Sequence, residues 1–261
     1  MQDQALETIY ITEETAPKPD LNTKFPRLYG HHNCPFVEKA RLAFAARNHV
    51  YQKVEVDLGK KTEWHKEING GLVPIYEMPD GTVLLESKIL MDFAEEAFPD
   101  QGYSTLPSDP VLRAKLRLAI PLSEQLFSAF YTMFMKKTFD EQDTKNIKAK
   151  LQAMEDFLAQ NAKEGSPFAL GTENPTQLDI HFYPVIARIE YFRDSVFHDE
   201  LFTPIDLDSY THIMKLFHAF QARPEFKNAI TQRRPHQQYL EEMKKTPPGH
   251  KVQLFVPYEL E

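Results

Sequence analysis

The only cysteine of the 261-residue sequence lies in the tripeptide Cys34-Pro35-Phe36, where a short strand is predicted to end and a helix to begin. Proline is well tolerated at the first helical position, because its missing N–H would have no intrahelical partner there. Cys34 would then be the N-cap, where the helix dipole and the backbone N–H groups favour a thiolate. Helix N-termini can lower a cysteine pKa from about 8.5 to about 3.5–7.5. This context favours a nucleophilic thiol over the alternative, a small buried apolar residue.

A nucleophilic Cys34 would need a second thiol from another molecule. Position 37 is valine, so no C-x-x-C motif exists and no internal disulfide can form. A mixed disulfide on Cys34 must therefore be resolved by an external thiol, and glutathione fits that need. A single cysteine also excludes a multi-cysteine zinc or iron–sulfur site, and the ten histidines contain no H-E-x-x-H motif. We expect no metal cofactor and a reducing, cytoplasmic location.

Composition excludes several other classes of protein. The nine glycines form no G-x-G pair, so a dinucleotide fingerprint, a Walker loop and a G-x-S-x-G elbow are all ruled out. The chain carries 30 Lys plus Arg against 38 Asp plus Glu, a net charge of −8, which gives no general attraction to nucleic acid. No apolar run approaches the length of a membrane span. We expect a globular protein without nucleic-acid binding or stable membrane insertion.

The elements around Cys34 predict a thioredoxin-like domain. A short strand at 27–30, a helix at 35–47 and an alternating, half-buried strand at 50–58 make a βαβ unit. Two further strands, at 73–77 and 83–86, flank the turn Pro79-Asp80-Gly81 and predict an antiparallel hairpin. Ser87 is a suitable N-cap for the helix that follows, with Ile89 and Leu90 on its buried side. His31 and His32 are expected to be exposed loop residues.

Beyond residue 110 the sequence is all helical. Apolar residues recur at helical spacing in four segments between 112 and 220, and Thr176 and Asp179 form a predicted capping box. The predicted organisation is an N-terminal arm at 1–23, the thioredoxin-like domain at 24–100, a linker at 101–110, a helical bundle domain at 111–245 and a tail at 246–261.

In this setting the chain resembles a cytosolic glutathione transferase, and among those it is most similar to the omega class. The resemblance covers about residues 24–240. Each of its motifs alone is weak evidence for the family, but their order and spacing together are specific. The motifs are Cys34-Pro35-Phe36, Lys61 with Glu63-Trp64, Leu72-Val73-Pro74, Glu86-Ser87, and Thr176 with Asp179. The resemblance implies the glutathione transferase fold, α/β followed by all-α, and a homodimer.

The resemblance also implies roles at the glutathione site. Cys34 would form a mixed disulfide with glutathione, and Phe36 and Leu72 would line the site. The Val73 backbone, presented by a cis bond to Pro74, would pair with the cysteinyl part of glutathione like an added strand.

Three further residues would hold the charged ends of glutathione. Glu86 and Ser87 would bind the γ-glutamyl end, and Lys61 would meet the glycyl carboxylate. Each also has a simpler interpretation, since Glu86 and Ser87 mark a strand end and helix start and Lys61 lies in a solvated turn.

The second substrate is expected to bind against the helical domain. The implied pocket residues are Phe130, Tyr131, Phe134, Arg188 and His236, although an aromatic stripe at helical spacing is more often core. The family usually has a tryptophan near His236, so this pocket departs from the family pattern and the substrate is left open.

The implied activity is glutathione-dependent thiol transfer and reduction, including deglutathionylation and dehydroascorbate reduction, with glutathione as co-substrate and no metal. Two alternatives remain. One is a non-catalytic glutathione-transferase-like interaction module. The other is a relative of the chloride intracellular channel type, which shares a Cys-Pro-Phe start. The predicted first helix is too short and too charged to span a bilayer, which disfavours the second alternative.

Overall fold

The structure is a computed structural model, and it describes residues 6–136, 140–247 and 252. The described residues fall into two compact units, one formed by 6–102 with 252 and the other by 103–247. The division falls after Gly102, inside the segment predicted as a linker. The bounds predicted for the arm and the linker stay predictions, and most of the predicted tail lies outside the described residues.

The first unit has a five-stranded sheet with the strand order β1-β3-β2-β4-β5. Strands β1 and β2 run parallel to β3, whereas β4 is antiparallel to both β2 and β5. The predicted thioredoxin-like architecture is therefore confirmed. Its elements are β1 (Ile9–Ile11), β2 (Arg27–Gly30), α1 (Pro35–Ala46), β3 (Gln52–Val56), α2 (Glu63–Asn69), β4 (Ile75–Glu77), β5 (Val83–Leu85) and α3 (Ser87–Ala97).

Strand register brings four chain segments to one end of this sheet. Tyr29 pairs with Ile75, and Ile75 pairs with Leu85, while Gly30 lies beside Glu55. Because β2, β3 and β5 run the same way and β4 runs the opposite way, the segments that follow the first three and precede β4 all emerge together. We call this the Cys34 end of the sheet.

The N-terminal arm predicted at 1–23 contains a strand. β1 pairs with the edge of β3, and its three residues are too few to show a periodicity in the sequence. The rest of the arm is anchored by side chains from the sheet unit: the Trp64 indole N–H donates to the Ala16 carbonyl at 3.0 Å, and the Arg27 guanidinium donates to the Asp20 carbonyl.

β3 is not half-buried as predicted. Val54 and Val56 pack with Trp64 of α2 on one face, while Glu55 on the other face lies 4.0 Å from Arg41 of α1. Polar and apolar residues do alternate, but β3 lies inside the sheet with both faces covered. Its polar residue Glu55 is therefore buried too, while Gln52 and Lys53 are partly buried.

Two helices of this unit also differ from prediction. α2 was not predicted, although Thr62 caps its first turn and Gly70 ends it in the left-handed conformation, at φ 57°. α3 begins one residue earlier than predicted, and Ile89 is 52% exposed rather than buried.

The second unit is helical, as predicted. α6 lies at its centre with every residue buried, and the ring of Tyr183 stacks on Phe220 with centroids 4.6 Å apart. Among the described residues, no helix is both long and apolar enough to cross a membrane. The helices are α4 (Pro110–Lys136), α5 (Glu141–Asn161), α6 (Gln177–Glu190), α7 (Thr203–Ile205), α8 (Thr211–Ala222) and α9 (Arg233–Lys245).

The predicted capping box is present at the start of α6. The Asp179 carboxylate accepts hydrogen bonds from the Thr176 N–H and hydroxyl, both at 2.7 Å. Its other oxygen accepts from the Ala169 N–H at 2.7 Å, a contact that the sequence does not reveal.

Candidate active site

Cys34 is the N-cap residue of α1, and Pro35 is the first helical residue. The Cys34 N–H donates to the His31 carbonyl at 2.8 Å, and its own carbonyl accepts from the Glu38 N–H at 3.0 Å. The thiol is partly exposed. The sequence therefore places this side chain correctly, at a helix N-terminus at the Cys34 end of the sheet.

The loop that carries Cys34 differs from expectation, because His31 and His32 are buried, at 7% and 4% exposure. Their rings stack with centroids 4.4 Å apart. Burial, together with the neighbouring His32, lowers the pKa of His31 from 6.5 to about 3. His31 is thus neutral at physiological pH, and its Nδ1 accepts a hydrogen bond from the Asn33 N–H at 3.1 Å. Two adjacent polar residues gave no sequence signal for burial.

Beneath this loop lies a buried carboxylate that the sequence analysis did not single out. The Glu55 carboxylate is 3.7 Å from His32 Nδ1 and 4.0 Å from the Arg41 guanidinium. Burial opposes ionisation of Glu55, but His32 and Arg41 outweigh it and lower the carboxyl pKa to about 2. Glu55 is therefore charged in the folded protein.

The segment before β4 presents an extended backbone at the same end of the sheet. The peptide bond between Val73 and Pro74 is cis. The Leu72 carbonyl accepts from His65 Nε2 at 3.0 Å and from the Asn69 amide at 3.1 Å, which ties this segment to α2. Within the described parts of the chain, the Val73 N–H and C=O make no hydrogen bond. The Val73 main chain is thus available for an added strand.

The segment after β5 has an unusual backbone. Glu86, rather than Ser87 as predicted, is the N-cap of α3, and Ser87 is its first residue. Glu86 is exposed and has φ 70° and ψ 120°, a conformation that non-glycine residues rarely adopt. Backbone strain of this kind concentrates at functional sites.

Lys61 follows β3 and is partly buried. Its side chain packs on Gly71, where a Cβ would lie 2.6 Å from the Lys61 Cδ. Gly71 therefore has to be glycine for Lys61 to reach over the segment that leads to Val73. The exposed Phe36 and Leu72, at 39% and 61%, complete the set predicted at this end of the sheet.

The predicted pocket residues of the second unit are mostly buried within an aromatic cluster. Phe130 and Phe134 stack at 5.7 Å, and Phe134 also stacks on Tyr239 at 6.2 Å. His236 is buried, with its ring 6.5 Å from that of Tyr239, whereas Tyr131 is 50% exposed. Tyr239 was missed by sequence reasoning because it lies in a largely polar segment.

Arg188 is also buried in this unit. Its guanidinium donates to the Pro184 carbonyl at 2.9 Å and to the Thr231 hydroxyl at 3.1 Å. The bond to Thr231 holds α6 to the chain before α9.

The sheet order, the cysteine at the start of α1 and the helical second unit together define the glutathione transferase fold. Residues 28–102 match the family described as glutathione S-transferase, N-terminal domain.

The relatives that the chain resembles include omega-class glutathione transferases. It is 26% identical over 177 residues to glutathione S-transferase omega-1 of Sus scrofa, covering 67% of this chain and 72% of that protein. It is 24% identical over 159 residues to the probable glutathione S-transferase DHAR1, cytosolic, of rice, covering 60% of this chain and 68% of that protein.

The solved structure of glutathione transferase Omega 1C from Trametes versicolor has a TM-score of 0.68 at 21% identity, covering 84% of this chain and 98% of that one. The resemblance to the glutathione transferases, and to their omega class, is confirmed.

Proposed function

We propose that this protein is a glutathione-dependent thiol transferase and reductase that works through a Cys34–glutathione mixed disulfide. The observation that carries the proposal is the position of Cys34 at the start of α1, at the same sheet end as the Val73 backbone and the start of α3. A helix N-terminus favours the thiolate, which is the attacking form of a cysteine.

The residues at this end of the sheet match the chemistry of glutathione, which has two carboxylates and one ammonium group. The Val73 N–H and C=O would pair with its cysteinyl residue as an added strand. The backbone N–H groups at Ser87 and the α3 start would bind the γ-glutamyl carboxylate, and the Glu86 carboxylate would bind the ammonium. Lys61 would bind the glycyl carboxylate.

The reaction consists of two thiol–disulfide exchanges. The Cys34 thiolate attacks a glutathione sulfur in a mixed or symmetric disulfide, the old S–S bond breaks, and the other sulfur leaves as a thiolate. A second glutathione thiolate then attacks the glutathione sulfur of the adduct. Oxidised glutathione forms, and the Cys34 thiolate is regenerated. Protein–glutathione disulfides are suitable substrates for this sequence. With dehydroascorbate the adduct would form by oxidation instead: Cys34 and one glutathione together give two electrons and two protons to dehydroascorbate, which leaves as ascorbate, and the second glutathione then releases oxidised glutathione as before.

The electrophile pocket remains a prediction. We expect the aromatic residues Phe130, Tyr131 and Phe134, with Arg188 and His236, to select the second substrate. We also expect a homodimer, which light scattering would test, and a cytoplasmic location, where reduced glutathione would supply the resolving thiol.

Intact mass spectrometry after incubation with oxidised glutathione tests the proposal. The wild-type protein should gain one glutathione, which reduced glutathione removes, and Cys34→Ala should gain none. In activity assays, Cys34→Ala should lose thiol transfer and gain conjugation to aryl halides, because glutathione at the site could no longer be held in a disulfide with Cys34. Unmodified wild-type protein, or thiol transfer retained by Cys34→Ala, would refute the proposal. An adduct that reduced glutathione leaves in place would favour a non-catalytic module.

A further inference from the structure

Three buried charged or polar side chains form a network beneath the Cys34 loop, which we define as residues 31–34. Glu55, His32 and Arg41 are each no more than 5% exposed. Glu55 lies close to both of the others, and Arg41 Nη2 donates to the His32 carbonyl at 3.0 Å. The network therefore joins β3 and α1 to the loop that connects β2 with α1.

The loop transmits this anchoring to the cysteine through short, local contacts. The His31 ring stacks on His32, its carbonyl accepts the Cys34 N–H, and its Nδ1 accepts the Asn33 N–H. His32 is thus tied to Glu55 and Arg41, and His31 is tied to His32. Asn33 and Cys34 are in turn tied to His31.

Stability alone does not explain this network. Burying charged groups carries a large desolvation penalty, and well-packed apolar residues in the same place are often at least as stabilising as a buried ion pair. Nevertheless Glu55 is held in its charged form, between His32 and Arg41.

A second buried carboxylate in the same sheet shows the contrast. Glu77 is 3% exposed, and it contacts the Tyr29 hydroxyl at 2.8 Å and Lys18 at 2.6 Å, away from the Cys34 loop.

We propose that Glu55 is a positioning residue for Cys34. Through His32 and Arg41 it fixes the Cys34 loop, so that the sulfur is aligned with the disulfide of a docked glutathione. This inference rests on the proposed function, because alignment matters only for a reaction with a bound partner.

Two rates measured on each variant test the inference. Mixed-disulfide formation with oxidised glutathione requires alignment, whereas alkylation by iodoacetamide requires only an accessible thiolate. Glu55→Gln should slow the first reaction at least about tenfold, as expected for a misplaced reacting group, and leave the second near its wild-type rate. His32→Phe keeps a ring for stacking but loses the nitrogen that faces Glu55, and should have the same effect.

Glu77→Gln is the matched control, since it also neutralises a buried carboxylate of this sheet. It should leave both rates near wild type, even where it lowers the melting temperature. Fluorescence of Trp64, the only tryptophan, checks that each variant is folded. If Glu55→Gln fails to fold, His32→Phe decides the matter.

Equal rates of mixed-disulfide formation in Glu77→Gln and in the network variants would overturn the inference. So would a parallel fall in alkylation, which would mean an effect on the thiol itself. If the wild-type protein forms no adduct, the proposed function fails and the inference with it. If the wild-type protein forms the adduct and the network variants form it at the same rate, only the inference about Glu55 is refuted.

Discussion

The two units of the molecule use buried polar side chains differently. In the sheet unit, Glu55 and Arg41 contact a loop, and the loop carries the cysteine. In the helical unit, Asp179 and Glu155 accept hydrogen bonds from backbone N–H groups at the starts of α6 and α8. Glu55 thus contacts the loop that carries a reactive group, while the buried Asp179 and the partly buried Glu155 satisfy helix ends. Substitution of Glu55 should alter chemistry, and substitution of Asp179 or Glu155 should alter stability alone.

The largest effect on stability is expected at Asp179. Asp179→Ala leaves the buried N–H groups of Ala169 and Thr176 without an acceptor, at about 1–3 kcal/mol each. Relief from burying a carboxylate, whose pKa burial raises, offsets part of this. We expect a net loss of about 3 kcal/mol, more than the roughly 1 kcal/mol of an ordinary helix cap.

Urea unfolding followed by far-UV circular dichroism measures this loss. Asp179→Asn keeps one acceptor oxygen and should be intermediate. A loss below about 1 kcal/mol for Asp179→Ala would indicate that another group replaces the carboxylate. Slower formation of the Cys34–glutathione adduct in folded Asp179→Ala would contradict the expectation that Asp179 affects stability alone.

Much of this fold could be predicted from sequence because its signals are local. Turn glycines, the capping box and helical periodicity identify the hairpin and the helices. β1 could not be predicted from the sequence, because its three residues are stabilised by pairing with β3, a contact distant in sequence. The burial of Glu55 could not be predicted for a similar reason. Alternation of polar and apolar residues does not distinguish an inner strand from an edge strand.

The candidate site could be predicted only where a backbone rule applied. Pro35 after Cys34 marks a helix start, and this placed the thiol correctly. His31 and His32 were misjudged because their burial depends on Glu55 and Arg41, which no local pattern connects to them. The strained φ of Glu86 likewise has no signature in a glutamate.

The second largest effect on stability is expected in acid, where the sheet unit should lose stability. The pKa of His31 is about 3 in the folded protein, because of burial, and about 6.5 when unfolded. As pH falls below 6.5 the unfolded chain binds the proton first, so stability is full above this value and is lost toward pH 3. His31 alone should remove about 2 kcal/mol between pH 7 and pH 5.

His31→Asn tests this, because the Asn side-chain oxygen can accept the Asn33 N–H but does not titrate. Urea unfolding followed by Trp64 fluorescence should show a flatter dependence on pH. His49→Gln is a parallel variant, since burial lowers the pKa of His49 to about 4. An unchanged pH dependence in His31→Asn would show that His31 is not held neutral by burial.

The smallest effect is expected at Glu155, which lies on α5 but caps α8. Its carboxylate accepts from the N–H groups of His212 at 2.9 Å and Ile213 at 3.0 Å. Burial opposes ionisation, but these bonds outweigh it and lower the pKa of Glu155, so its contribution to stability is present above pH 4.5 and lost below it.

Glu155→Gln should lower the free energy of unfolding by about 1 kcal/mol at pH 7 and by less in acid, as measured by unfolding followed by circular dichroism. Asp156→Asn is the control, because that exposed carboxylate bonds Gln152 and no other residue in the described part of the chain, and should shift stability by less than about 0.5 kcal/mol. Equal losses in the two variants would mean that Glu155 acts by general charge and not as a helix cap.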